Sequence, residues 1–243
     1  MNEFFQGLAD SFTRTFITED RWLQMLNGLL VTIEITVFAA AIGIVLGFLI
    51  AIIRSTYDKN LLGKKCRRLS DYVLKVINVI CNIYITVIRG TPVVIQLMIM
   101  YYIVFASSRN GIIAAIISFG MNSAAYVAEI VRSGIMSIDK GQFEASRSLG
   151  FDYKSTMIHI IIPQAFKNIL PALGNEFIVL VKETSVAGYV ALQDITYVGN
   201  LIRSRTYEAF FPLISVAIIY LVIVLILSYF LKKLERRLRS SDH

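Results

Sequence analysis

Between residues 122 and 136, Asn122, Tyr126, Glu129, Ser133 and Met136 recur at intervals of three or four, the spacing that puts side chains on one face of a helix. A second stripe, Asn168, Ala172, Glu176, Val179 and Glu183, repeats the pattern, with Asn175 and Lys182 on its flank. Such rows of amides, hydroxyls and carboxylates can pass a polar solute along by exchanging hydrogen bonds and charge. Both stripes interrupt largely apolar stretches, where an ionisable group costs about 2.5–3.5 kcal/mol at a bilayer centre and usually faces a protein interior or a water-filled path. Glu129 and Arg132, three apart, equally fit a pair that only neutralises itself. On the second stripe the polarity extends further than one ion pair requires, which favours a path.

A third feature is the segment 88–96, IRGTPVVIQ. Pro92 suits the first turn of a helix, Thr91 suits its N-cap, and Gly90 permits a bend. The expectation is a helix broken within the membrane, whose second half begins with unpaired N–H groups beside Arg89 and suits an anionic group. A proline kink that only shapes packing fits the same residues. The candidate path is therefore Arg89, Thr91, Glu129, Asn175, Glu176 and Glu183.

The elements that must carry these residues are membrane helices. The chain has 243 residues, 56% hydrophobic and only 17% charged, against about 25% in soluble domains, and its mean hydropathy is +0.65. Long charge-free runs at Ile35–Ile53, Gly90–Ser108 and Ala209–Leu231, with a shorter one at Gly111–Ala128, approach the roughly 20 residues needed to span a bilayer. A fifth candidate, Asn168–Val190, carries Glu176, Lys182 and Glu183 and scores poorly on hydropathy. Tyr72–Phe105 reads as one long broken element. The predicted fold class is all-α integral membrane, with about five transmembrane helices.

Net charge is +7, which alone would admit nucleic acid. The basic residues instead flank apolar runs. With five crossings and the N-terminus outside, 14 fall on the inner side, in loops at about 54–71 and 139–163 and in the tail, against 5 outside, among them Arg109. The expected layout is an extracytoplasmic N-terminal segment (1–22), a transmembrane domain (23–231) and a basic cytoplasmic tail (232–243), with a further connection at about 191–208. The expected location is the cytoplasmic membrane of a prokaryote, with the C-terminus inside.

No P-loop pattern, nucleophile motif or metal-ligand spacing is present; His159 and His243 are the only histidines, and Cys66 and Cys81 the only cysteines. The chain is expected to hold no active site, metal or cofactor, so energy for active transport must enter from another polypeptide or an ion gradient.

The loop DKGQFEASRSLGFDYKSTMIHIIIP, residues 139–163, bears on that choice. Glu144-Ala145-Ser146 is followed after three residues by Gly150, and after nine more by Ile160-Ile161-Ile162-Pro163. This resembles the EAA loop of permease subunits in binding-protein-dependent ABC importers, E-A-A, three residues, G, nine residues, I-x-L-P, with Ser146 and Ile162 as mild departures. ITVIRGTPVVIQL, NSAAYVAEIVRSGI, KGQFEASRSLG and LPALGNEFIVLVKETSVAG look like segments of the polar amino acid branch of these permeases. The resemblance runs from about residue 25 to the end.

The resemblance implies a type I ABC importer permease fold and an ATP-driven importer of a polar amino acid. Glu144, Ala145 and Gly150 would be the residues coupling to a cytoplasmic ATP-binding subunit, which carries the ATP and Mg. It also implies a second permease subunit, identical or paralogous, and an extracytoplasmic solute-binding protein, for which the external segment Thr196–Phe211 is a candidate contact. A gradient-driven carrier or channel, with Glu129 and Glu183 relaying ions, is the alternative that needs no ATPase.

Overall fold

The computed structural model describes residues 2–107 and 111–240. Residues 108–110, which include Arg109, and 241–243, which include His243, lie outside the described residues, as does the Arg239 side chain. Every regular element among the described residues is helical: α1 (Asn2–Phe12), α2 (Arg21–Asn60), α3 (Leu69–Gly90), α4 (Val93–Ile99), α5 (Gly111–Met136), α6 (Lys140–Ser148), α7 (Tyr153–Thr156), α8 (Ile162–Glu183), α9 (Ile195–Thr206) and α10 (Phe210–Ser240).

Four stretches are long and apolar enough to cross a membrane: Ala9–Lys59, Leu69–Gly90, Gly111–Met136 and Phe210–Leu238. α8 is long enough too, but its charges keep it out of that set, as its sequence foretold. The chain leaves helical geometry between α3 and α4, where Thr91 is extended (φ −120°, ψ 146°), so the break falls at the expected place. The apolar core of α5 is 61% buried, whereas that of α10 is 11% buried. α5 is thus packed against protein, and α10 keeps Leu221, Leu225 and Ile226 exposed, an apolar surface suited to lipid.

Three connections are shorter than the sequence led us to expect. The loop at 54–71 begins only at Leu61, because the segment after Ile53 has no breaker before Gly63 (φ +76°) and α2 runs on through Arg54 and Asp58. The loop at 191–208 is mostly α9, whose first turn is capped by the buried Asp194 carboxylate accepting from the N–H groups of Thr196 (3.0 Å) and Tyr197 (3.1 Å). Thr196–Phe211 is therefore not an extended external connection: Val198, Gly199 and Ile202 are buried and only residues 207–209 link α9 to α10. In the third, 139–163, two short helices replace the open chain, and α8 already starts at Ile162, with Pro163 tolerated in its first turn.

The chain divides into two compact units. One comprises residues up to Ala39, Val93–Phe119 and Ile178–Tyr229. Here Gly28 lets α2 approach α9, since a Cβ would lie 3.0 Å from Val198 and 3.1 Å from the Asp194 backbone. Thr32 Oγ1 donates to the Gly28 carbonyl and accepts from the Ile195 N–H, tying the two helices together.

The other unit comprises Ala40–Pro92, Gly120–Phe177 and residues from Phe230 on. Its core is Ala51, Val127, Val131, Ile135, Ile161, Ala165 and Ile169. α2 meets α5 through Gly43 and Gly47, whose missing Cβ atoms leave room for Ser123 and Val127. The G-x-x-x-G spacing of these glycines is a packing signal readable in the sequence, since small residues are what allow membrane helices to come close.

Candidate functional site

In the second unit α2, α3 and α5 bring five charged side chains together. Glu129 on α5 is bonded by Arg54 of α2, and its carboxylate lies 3.8 Å from Arg89 of α3 and 3.8 Å from Arg132. Arg132 in turn donates to Asp58 of α2 at 2.9 Å. The pair Glu129 and Arg132 is therefore a minor contact within a larger network, and each residue has a nearer partner on another helix. Three guanidinium groups face two carboxylates, which leaves the group net positive. Arg54 is the most enclosed, with 13% of its side chain exposed, whereas Arg89 is 43% exposed and lies over the Tyr126 ring, 5.1 Å from its centroid.

Arg89 and Glu129 line an open cleft of about 500 Å³ together with Ser133, Gly134, Ser137, Asn168 and Ala172. The two polar stripes thus meet on one surface, since Glu129 and Ser133 come from α5 and Asn168 and Ala172 from α8. A direct hydrogen bond joins them, Asn168 Nδ2 to Ser137 Oγ at 3.1 Å. They can come this close because Gly134 of α5 leaves room for Ile169 of α8. Such a cleft can take a small solute carrying an anionic group, with Arg89 as its accessible cation and hydroxyl and amide groups opposite.

The six path residues fare differently. Arg89 and Glu129 are together. Asn175 is exposed, and Glu176 accepts from Ser123 Oγ at 3.2 Å. Thr91 donates to the Val87 carbonyl at 2.9 Å, a bond to the last turn of α3. Glu183 belongs to the other unit, where it is half-buried. Two members of the charge network went unread in the sequence. Both Arg54 and Asp58 fall in the basic loop expected at 54–71, although their i, i+4 spacing marks a continued helix face.

The segment after α5 forms a compact hairpin. Asp139 caps α6 by accepting from the Gly141 N–H. At its far end Gly150 has φ +85°, its N–H bonds to the Arg147 carbonyl, and the Phe151 N–H bonds to the Ser146 carbonyl. That pair of bonds is a Schellman ending, which requires a left-handed residue at the position of Gly150. Asp152 then caps α7 through the Ser155 N–H, and hydrogen bonds from Ser155 hold its carboxyl below the usual value. Glu144, Ala145 and Gly150 are all exposed. Ser146 is buried, its hydroxyl bonded to the Gln142 carbonyl, so it lets α6 approach its own chain and does not serve an outside surface.

A multi-pass helical fold with a charged cleft among its helices and an exposed short helix after α5 fits a membrane permease. Residues 72–240 match the model of the binding-protein-dependent transport system inner membrane component, and this chain belongs to that family. The arginine transport system permease protein ArtQ of Bacillus subtilis (strain 168) is 38% identical over 221 residues, covering 90% of this chain and 94% of ArtQ. The glutamine transport system permease protein GlnP of Escherichia coli (strain K12) is 33% identical, over 88% of this chain and 93% of GlnP. A crystal structure of an amino acid ABC transporter with histidines superposes with a TM-score of 0.77 at 39% identity, over 88% of this chain and 94% of that one. The methionine ABC transporter MetNI, in inward-facing conformations, shares the fold with a TM-score of 0.75 at 19% identity, over 91% and 99%.

The fold is thus that of a type I ABC importer permease, and the protein is a multi-pass component of the inner membrane. It is a non-catalytic subunit. ATP is hydrolysed by a separate subunit, and the permease works beside a second permease. A gradient-driven carrier is not favoured.

Proposed function

We propose that this chain forms the translocation path of an ATP-driven importer for a polar amino acid, with Arg89 holding the substrate carboxylate in the α5–α8 cleft. The observation that carries this reading is the half-exposed Arg89 at the edge of a net positive network, beside Ser133 and Asn168. Relatives named for arginine and glutamine transport support an amino acid as cargo. Glu129 orients Arg89, while Thr91, Asn175, Glu176 and Glu183 continue the polar path.

The exposed face of α6, with Glu144 and Ala145, docks on the ATPase, which holds ATP and Mg, and Gly150 sets the turn that presents it. A solute-binding protein delivers the substrate from outside. The N-terminal segment (1–22) lies on that side, the spanning domain covers 23–231, and the basic tail (232–243) lies in the cytoplasm.

The test is uptake and substrate-stimulated ATP hydrolysis by the reconstituted complex. Arg89→Ala lowers uptake by about tenfold or more, the scale of a lost charge-assisted hydrogen bond, and leaves ATPase co-purification intact. Glu144→Lys instead breaks co-purification or uncouples hydrolysis from uptake. Wild-type uptake in Arg89→Ala refutes the carboxylate assignment, and wild-type coupling in Glu144→Lys refutes the docking assignment.

A further inference from the structure

Beside α6 lies a second cavity, of about 430 Å³, that the transport path does not use. It is an open pocket bounded by the end of α2, the end of α5 and the α6–α7 hairpin, all within one compact unit. Two of its polar atoms have no hydrogen-bond partner. Lys59 Nζ is shielded from solvent and lies over the Phe143 ring, 3.1 Å from its centroid. Thr156 is 2% exposed, and its Oγ1 is likewise unpartnered. Buried polar groups are nearly always satisfied, so two orphans on one cavity point to something that satisfies both. An ammonium group and a hydroxyl together can donate to an anion.

The neighbouring carboxylates do not meet that need. Asp58 is engaged by Arg132 at 2.9 Å, and the side chain of Glu144 is exposed. Lys140 and Arg147, also on the cavity wall, add positive charge at its mouth. Apart from Tyr153, the rest of the lining is apolar: Leu62, Ile135, Met136, Ile138 and Phe143. A small inorganic ion would leave those side chains facing empty space, whereas an anion with an alkyl body would cover them.

We infer that this cavity is a binding site for an amphipathic anion, a carboxylate or phosphate head on Lys59 and Thr156 with its alkyl part against Ile135 and Phe143. Occupancy would tie the α6–α7 hairpin to the end of α2. The head group comes either from a free fatty acid or from an anionic lipid.

The intact transporter in nanodiscs separates these sources. Carboxyl-labelled decanoate is titrated and followed by its carbon-13 resonance, and retention of phosphatidylglycerol over phosphatidylcholine is read by native mass spectrometry. For the source that applies, wild type binds one anion per chain, Lys59→Met weakens it by about tenfold or more, and Thr156→Val weakens it severalfold. Saturable decanoate binding identifies a free carboxylate, and selective phosphatidylglycerol retention identifies a lipid. Failure of both probes to bind wild type, or binding by either variant at wild-type affinity, overturns the site. Because Thr156→Val is nearly isosteric, it keeps the test decisive if Lys59→Met misfolds.

Discussion

Arg54 on α2 and Glu129 on α5, 75 positions apart, form an ion pair with side chains only 13% and 28% exposed. Arg89 and Arg132 also approach the same carboxylate, so Glu129 is the point on which three helical segments converge.

Removing Arg54 therefore differs from removing Glu129. Arg54→Met leaves Glu129 with two arginines and costs about 2 kcal/mol, below the 3–5 kcal/mol of a fully buried broken pair. Glu129→Gln leaves three guanidinium groups facing Asp58 alone and costs more. Thermal unfolding of the detergent-solubilised complex checks the order; a larger loss in Arg54→Met than in Glu129→Gln contradicts the network.

The contact of Gly134 with Ile169 sets how closely α5 and α8 pack. Gly134→Ala places a methyl group against the Ile169 side chain and costs about 1–3 kcal/mol by overpacking. Ile169→Ala removes the atoms it would strike, so the double variant should be more stable than the sum of the single losses by about 1 kcal/mol. Additive losses in a double-mutant cycle would show that the two helices do not touch there.

Gly150 stands in open space, so its constraint is the backbone and not a neighbour. At φ +85°, Gly150→Ala costs about 1 kcal/mol, and Gly150→Asn less, because asparagine tolerates the left-handed region better. Amide protection at Phe151 should rank glycine above asparagine above alanine, with coupled ATP hydrolysis following the same order. Equal protection in all three removes the Schellman turn from the coupling model.

Asp152 predicts an acid-sensitive hairpin. Its carboxyl is held below its ordinary value of 3.8, chiefly by hydrogen bonds from Ser155. A lowered value in the folded state means that the ionised cap stabilises fully above the unfolded value and is lost as the pH falls through the folded one. The Ser155 amide should lose protection only below about pH 4, and Asp152→Asn should abolish that pH step. A step near neutral pH would point to another group.

Much of the site was legible because its signals are local. Helical spacing alone put Glu129 and Ser133 on one face, and Asn168 on another. The run from Glu144 to Gly150 carries the EAA spacing, and a left-handed position such as that of Gly150 tolerates few other residues. The G-x-x-x-G of Gly43 and Gly47 was equally local, yet its meaning depends on which helix fills the gap.

The residue pattern by itself determined the solvent, the long apolar helices, the break at Thr91-Pro92 and the composition of the polar stripes, because burial in lipid and backbone sterics act over one or two turns. Only the tertiary structure decided the pairings. Arg54 reads as a loop cation until α2 runs on to Asn60 and gives it Glu129, and Ser146 reads as a mild departure from the EAA pattern until α6 packs it inward. Thr196 and its neighbours looked like exposed chain until Asp194 capped a helix there. Charge and hydroxyl chemistry are written in the sequence, but their partners lie tens of residues away, and only helix packing brings them within bonding distance.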